Sequence, residues 1–285
     1  MPELPEVETI VRSLRNPIGS HFSKDIQLTL RPGIIGRMIQ DCQVLWERSI
    51  AFPSVNEFQN QIQKQKIIAV HRRGKFIVIE LERQSLLIHL RMSGDILVQK
   101  ENRDRNFKHD RVILNFDDKV RMVFNDPRKF GRVWLVDDPE IVTGSLGPEP
   151  FATELTPQSF FLKMQKAKRQ IKSLLLDQSF LAGLGNIYTD EVLFKAGIHP
   201  STLANSIDRE AAGILLLSIR EVLEEGIRRN GASIDWVYRG GDFQNHFQVY
   251  QRAGKKCLRC GSIIERTVIN QRGTHFCPTC QPCGK

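Results

Sequence analysis

The 285-residue sequence has no long apolar run and no basic amphipathic helix, which argues against a chain that crosses a membrane or lies along its surface. It shows no secretory leader: the first fifteen residues are charged and carry two prolines. Internal repeats and low-complexity tracts are also missing, so solenoid and compositionally disordered architectures drop out. The expected compartment is therefore reducing, cytoplasmic or nucleoid-associated. There the six cysteines serve as metal ligands or free thiols rather than disulfides.

Acidic side chains are the minority among the charges, with Lys plus Arg at 41 against Asp plus Glu at 32, a net charge of +9. A globular chain this basic meets a polyanion, and nucleic acid is the leading class. Hydrophobic residues make up 41%, enough for proper cores, and the length predicts two domains.

The chain opens Met1-Pro2-Glu3-Leu4-Pro5-Glu6. An initiator Met before a small residue is normally removed, which leaves Pro2 with a free secondary amine. An α-amine has a reference pKa of about 8, against about 10.4 for Lys, so more of it is neutral near neutral pH. Val7, Ile10, Val11 and Leu14 set a helical period, predicting a helix over 1–17 with Pro5 in its first turn. The positive end of the helix dipole favours the neutral amine, while Glu3, Glu6 and Glu8 oppose it. A neutral amine beside carboxylates is suited to Schiff-base chemistry. The same residues also make an ordinary helix start.

From about 25 to 137 the pattern is mostly strands. Lys75–Leu81, Ser85–Arg91, Arg111–Phe116, Val120–Phe124 and Arg132–Val136 read as strands, with a helix near 55–64. In the second of these Leu86, Ile88 and Leu90 share one face, leaving His89 and Arg91 on the other. Turn signals between short strands suggest an antiparallel sandwich. The tract Gly144-Ser145-Leu146-Gly147-Pro148-Glu149-Pro150 is a linker. Helical periods follow at 157–166, 170–177, 186–195 and 207–229, the last with Ala211, Leu215, Ile219, Val222 and Leu223 as its core stripe. Residues 231–247 lack a period and read as a long functional loop.

Cys257-x2-Cys260 and Cys277-x2-Cys280, sixteen residues apart, form the strongest spacing signal. Two such knuckles can set four thiolates tetrahedrally around one structural Zn2+, with no open position for catalysis. Cys283 makes the second knuckle CxxCxxC, so Cys280 or Cys283 could serve as the fourth ligand; the shorter knuckle, with Cys280, is favoured because it matches its partner. Cys42 reads as a buried structural thiol.

Three further segments suit nucleic acid. Gly183-Leu184-Gly185-Asn186-Ile187-Tyr188 leads into a helix and would present free amides to a phosphate, or be a plain N-cap. Asp126-Pro127-Arg128-Lys129-Phe130-Gly131 lies between strands as a hairpin tip, where Phe130 is either a wedge between bases or folded into the core. Gln271-Arg272-Gly273 sits at the tip of the cysteine-bounded hairpin, where Arg272 is either a mounted DNA contact or a solvated charge.

Taken together, these segments with Arg73-Gly74-Lys75, His89-Leu90-Arg91-Met92-Ser93-Gly94 and Leu146-Gly147-Pro148-Glu149-Pro150 closely resemble bacterial-type formamidopyrimidine-DNA glycosylases, base-excision repair enzymes for oxidised purines. The blocks run in family order from residue 2 to residue 280. The fold class implied is α+β: an N-terminal catalytic β-sandwich with flanking helices over 1–143, a linker over 144–156, a helix–two-turn–helix DNA-binding domain over 157–250 and a zinc finger over 251–285. The resemblance implies a monomer acting on double-stranded damaged DNA, with no membrane partner.

It also implies roles. Pro2 would be the nucleophile at C1′ of the damaged nucleotide, Glu3 the acid/base at the sugar, Glu6 a supporting group and Lys75 a phosphate contact that assists the chemistry. Met92, Arg128 and Phe130 would fill the gap left by the extruded base, and His89, Asn186 and Arg272 would grip the backbone. The 231–247 loop would close over the everted base. A secondary amine on C1′ stays a cationic iminium, an electron sink that permits β- and then δ-elimination. Arg91 departs from the Gly common at its position, and Cys283 is extra. Two alternatives remain: a pyrimidine-lesion enzyme of the endonuclease VIII type, opposed by Leu4 and Phe130, and a non-catalytic zinc-ribbon lesion binder.

Overall fold

The computed structural model describes residues 1–15, 33–100, 108–233 and 240–283. The chain divides into two compact units. One is built on Met1–Pro2 and Glu6–Gly144, the other on Glu3–Pro5, Ser145–Ser233 and the residues from Gly240 onward.

In the first unit, α1 (Leu4–Arg15) runs from the second residue after Pro2, and Val7, Ile10, Val11 and Leu14 are at most 4% exposed. Among the described residues, nine strands and two short helices follow: β1 (Ile39–Val44), β2 (Ile50–Phe52), α2 (Val55–Ile62), β3 (Ile67–Arg73), β4 (Phe76–Leu81), β5 (Ser85–His89), β6 (Asp95–Lys100), β7 (Asp110–Phe116), β8 (Val120–Asn125), β9 (Arg132–Val136) and α3 (Glu140–Thr143). Ser54 starts α2 with a capping box closed by Glu57. The strands form two sheets, ordered β1-β7-β8-β6 and β2-β9-β5-β4-β3.

Period-2 alternation decides which side chains the sheets share. Ile77, Ile79, Leu86, Ile88 and Leu90 join Val112, Leu114, Met122 and Phe124 of the other sheet, with α1 and α2, in one core. Each large aliphatic buried there contributes roughly 1.5–3 kcal/mol. Val78, Leu87 and Val136 bury on the opposite face against Phe76, Trp134 and Val142. The five-stranded sheet is thus apolar on both faces, which is why β4 carries an unbroken hydrophobic run from Phe76 to Ile79.

Three details differ from the sequence expectation. The sandwich is not purely antiparallel, because β2 pairs with β9 in parallel through Ile50 and Val133. Residues 126–131 are not a hairpin tip but a crossing between sheets, since β8 pairs with β6 and β7 while β9 pairs with β5 and β2. Arg91 does not share a strand face with His89, because β5 ends at His89 and Arg91 takes a left-handed φ of 54°.

In the second unit, α4 (Pro157–Gln165) is capped by Thr156, α5 (Ile171–Leu175) is short, and α6 (Asn186–Ala196) ends at Gly197 with a φ of 71°. The long α7 (Arg209–Arg228) is capped by the Asp208 carboxylate, which accepts from Ala211 N at 2.8 Å. Its buried stripe is Ala212, Leu215, Leu216, Ile219, Val222 and Leu223, one residue off the expected start at Ala211. A hairpin of β10 (Glu265–Ile269) and β11 (Arg272–Phe276) follows. Helix α6 is buried around its whole circumference from Ile187 to Phe194 and packs on α7 and β11. Residues 234–239 of the expected 231–247 loop lie outside the described residues. At its base Ser233 N donates to Gln244 Oε1 at 2.8 Å, and Gly241 N to Ser233 Oγ at 2.9 Å.

Left-handed backbone at a residue with a Cβ costs about 1–2 kcal/mol, part of which glycine gives back through unfolded-state entropy. Arg91→Gly is therefore expected to raise unfolding stability by about 0.5–1 kcal/mol in urea titration. A loss of stability would show that the arginine side chain outweighs the strain.

Candidate active site

The first unit carries Pro2, Glu6, Lys75, His89, Met92, Arg128 and Phe130. Pro2 is buried while Met1 is 43% exposed, so the residue ahead of the proline projects into solvent. Glu6, on α1, is buried. Lys75 follows Gly74 (φ 57°) in the tight turn between β3 and β4, and only 6% of its surface is exposed. His89 is the cross-strand partner of Phe76 and meets that ring edge-on at 4.7 Å. Its Nδ1 accepts from Arg91 N at 3.1 Å, which places the neutral ring's proton on Nε2. Burial first, then the charges of Arg91 and Lys75, push the His89 pKa down to about 3. The ring is thus a neutral donor among cations.

Met92, Arg128 and Phe130 stand on two loops. Met92 is 39% and Phe130 49% exposed, and Arg128 is exposed. Phe130 is therefore not folded into the core. The Arg128 guanidinium lies over the Phe130 ring at 5.1 Å, whereas Lys129 turns away to sit 4.0 Å over Trp46.

In the second unit the central feature is the Glu3 carboxylate. Its oxygens accept from Gly185 N at 2.7 Å, Ile187 N at 2.9 Å and Tyr188 N at 3.4 Å, across 182 to 185 residues of sequence. Leu4 N donates to Gly183 O at 3.0 Å beside it. Three of the amides expected to be free at 183–188 are thus taken by this carboxylate, and Gly183 N donates to Gln178 Oε1 at 3.0 Å. Asn186 is the first residue of α6 rather than its cap, and its Nδ2 donates to Gly273 O at 3.0 Å. Arg272 is exposed and opens β11 opposite Ile269, so the turn itself is Asn270-Gln271, with φ of 46° and 60°.

Sequence reasoning missed the buried charges that hold the backbone beside Arg272 and the segment before the zinc hairpin. Lys172, fully buried, donates to Asp190 Oδ1 at 2.6 Å and to Gly273 O at 3.1 Å. Asp190 Oδ2 accepts from His275 N at 2.9 Å. The adjacent Glu191 accepts from Gln248 N, Val249 N and Tyr250 N at 2.8, 3.0 and 2.8 Å. The signal available was two consecutive acids, Asp190 and Glu191, in the middle of a mostly apolar helix.

Among the described residues, one group of ligand-type side chains lies close enough to share an ion: Cys257, Cys260, Cys277 and Cys280, with sulfurs within 4.8 Å of one another. Sulfurs 2.3 Å from a tetrahedral zinc would be about 3.8 Å apart. The Cys257–Cys280 and Cys260–Cys277 distances are 3.9 and 3.5 Å, so the four fit one structural Zn2+. Gln281 is buried, bridging Cys277 N and Ile198 O, and the exposed Cys283 falls outside the group. Cys42 is buried with its thiol pKa pushed up to about 12, first by burial and then by Asp41.

Family profiles cover most of the chain: the formamidopyrimidine-DNA glycosylase N-terminal domain at 24–133, its H2TH domain at 146–237, and the zinc finger found in FPG and IleRS at 254–282. The formamidopyrimidine-DNA glycosylase of Chloroflexus aurantiacus is 42% identical over 99% of this chain and 98% of its own. This chain belongs to the formamidopyrimidine-DNA glycosylase family. Its structure superposes, at a TM-score of 0.87 and 34% identity over 99% of this chain and 100% of the other, on Lactococcus lactis Fpg (MutM) bound to DNA containing N7-benzyl-Fapy-dG. A MutM complex with DNA containing carbocyclic 8-oxo-G matches at 0.86 and 34% identity, over the same shares of the two chains. No helix among the described residues is long and apolar enough to cross a membrane.

Two outcomes are expected of these glycosylase-family residues. A Cβ at Gly185 would lie 2.3 Å from Glu3 Cδ, so Gly185→Ala should displace that carboxylate and cost about 2 kcal/mol or more in thermal unfolding. A neutral variant would show that the cap can relax. Because His89 titrates near 3 when folded and near 6.5 when unfolded, the unfolded chain binds the extra proton in that window. Stability should therefore be full above pH 6.5 and fall as pH drops toward 3, and His89→Gln should flatten the curve there.

Proposed function

We propose that this chain is a bifunctional DNA glycosylase and abasic-site lyase of base-excision repair, removing 8-oxoguanine and formamidopyrimidines from double-stranded DNA at the nucleoid. The observation that carries this reading is a buried Pro2 followed directly by a carboxylate clamped on three backbone amides. Once Met1 is removed, the Pro2 nitrogen attacks C1′ of the lesion. The C1′–base bond breaks and the base departs with the electron pair, taking up a proton. The Pro2 N–H proton is lost and the sugar ring opens, its C1′–O4′ bond breaking as O4′ takes a proton. This leaves a cationic iminium, which acidifies C2′ and lets the 3′- and then the 5′-phosphate depart by β- and δ-elimination. Glu3 is the acid/base group at the sugar, Glu6 supports the site, and Lys75 neutralises phosphate beside the reacting sugar.

A base must leave the stack before its sugar can be attacked, at a cost of a few kcal/mol. Met92, Arg128 and Phe130 fill the vacated space, and their exposure supports that role, since large apolar side chains held in solvent suit insertion between bases. His89, Asn186 and Arg272 grip the backbone around the kink. Cys257, Cys260, Cys277 and Cys280 hold the zinc that stiffens the hairpin carrying Arg272. The formamidopyrimidine and 8-oxo-G DNA bound by the two structural relatives support purine lesions as substrates.

Borohydride is expected to trap a covalent adduct between the chain lacking Met1 and duplex DNA with 8-oxoguanine opposite cytosine. A chain that keeps Met1 should bind the duplex and cut nothing. Absence of an adduct would sink the enzyme reading, an adduct that survives Pro2→Gly would sink the nucleophile, and faster excision of thymine glycol would move the chain to the pyrimidine class.

A further inference from the structure

We propose that the Ser93 hydroxyl is a positioning group that locks the two loops bearing Met92, Arg128 and Phe130 into a single wedge, so that base extrusion, rather than chemistry, depends on it. The inference rests on the functional reading above and extends it to residues that touch no DNA. The two loops cross between the sheets side by side, 91–94 from β5 to β6 and 126–131 from β8 to β9, and strand pairing joins only their ends, through His89 with Arg132 and Asp95 with Asn125. Between those ends the coupling is in side chains.

Ser93 Oγ donates a short hydrogen bond to Asp126 Oδ1 and in turn accepts from Arg128 N at 3.1 Å. Asp126 Oδ1 also takes Arg128 N at 3.2 Å, and its Oδ2 takes Gly131 N at 2.7 Å. One carboxylate therefore binds both ends of the segment that displays Arg128 and Phe130, and one hydroxyl ties that carboxylate to the residue after Met92. The Asp126 backbone is fixed as well: its N donates to His109 O at 2.9 Å, and its O accepts from buried Arg111 Nε at 2.8 Å. Ser93 is 5% and Asp126 1% exposed, so water does not compete for these bonds.

A second observation is steric. Both loops rest on the ring of Phe124: a Cβ at Gly94 would lie 2.9 Å from its Cε2, and one at Gly131 would lie 2.2 Å from its Cζ. The loops share a floor as well as a clamp. Each also holds a non-glycine residue at left-handed φ, Arg91 at 54° and Lys129 at 63°, strain that persists only where surrounding contacts over-determine the backbone. A wedge must push against stacked bases without yielding. Three exposed side chains on loops tied only at their ends would yield.

The test compares Ser93→Ala and Asp126→Asn with the wild-type chain on two substrates. One is duplex DNA with 8-oxoguanine opposite cytosine and a 2-aminopurine beside the lesion; the other is single-stranded DNA with a preformed abasic site, where nothing is extruded. Both variants are expected to lower the single-turnover excision rate on the first by about 10-fold or more and to shrink the 2-aminopurine signal of unstacking, because small misplacements are costly. Borohydride trapping on the second should stay within about 2-fold of wild type. Equal losses on both substrates, or no loss on the duplex in either variant, would overturn the inference. If Ser93→Ala does not fold, the Asp126→Asn ratio between the two substrates decides by the same criterion. A wild-type chain inactive on both would overturn the functional reading and this inference with it.

Discussion

Carboxylates holding backbone amides organise the second unit, and helix α6 is where they meet. Glu3 occupies the amides at its start, the region where the helix dipole and unsatisfied N–H groups attract negative charge most strongly. One turn on, Asp190 holds β11 through His275 N, and Glu191 holds residues 248–250 through three amides. A buried charge is tolerated only when its hydrogen-bonding capacity is filled. Asp190 adds the ion pair to Lys172, and that lysine also reaches Gly273 O. Burial pushes the Glu191 pKa up against its three amides, so its stabilising power depends on all three staying in place. Such contacts are directional where hydrophobic packing is not. They fix α6, the zinc hairpin and the segment after Glu3 in a single register.

The same constraint connects the zinc finger to the start of α6, where Glu3 holds Gly185 N and Asn186 reaches Gly273 O. The hairpin is too small to build a core; its buried contacts are Phe194, Val249, Ile264 and two of the cysteines. Metal supplies the missing stability, and Gly273 O, held by Asn186 and Lys172, sets where the neighbouring Arg272 emerges.

Much of this architecture was legible in the sequence, because local rules decide it. The 3.6-residue period gave α1 and α7 to within a few residues, and the CxxC spacing identified the four sulfurs that cluster. What escaped was non-local. The partner of Glu3 lies 182 or more residues away, and no spacing rule connects them. The 126–131 segment looked like a hairpin because strands next to each other in sequence usually pair; here β8 and β9 belong to different sheets. Arg91 sat in an alternating pattern that predicted continued strand, yet its backbone turns left-handed as the loop begins. The sequence also left Phe130 open between core and solvent, because the Asp126 carboxylate that binds Arg128 N and Gly131 N on either side of it leaves no periodic signal.

A net charge of +9 attracts any DNA, damaged or not, and phosphate contacts alone carry no information about a lesion. Selection must therefore come from groups whose energy depends on the base. Met92 and Phe130 are uncharged, and His89 is kept neutral by burial, so none of these contributes to the salt-sensitive attraction. A wedge pressing on a well-stacked pair meets the full unstacking cost; pressing on a weakened pair, it meets less. Rigidity converts that difference into discrimination, because a yielding wedge would absorb the strain in its own loops. On the proposed reading, cations bring the chain to DNA and apolar groups on stiff loops decide where it stops.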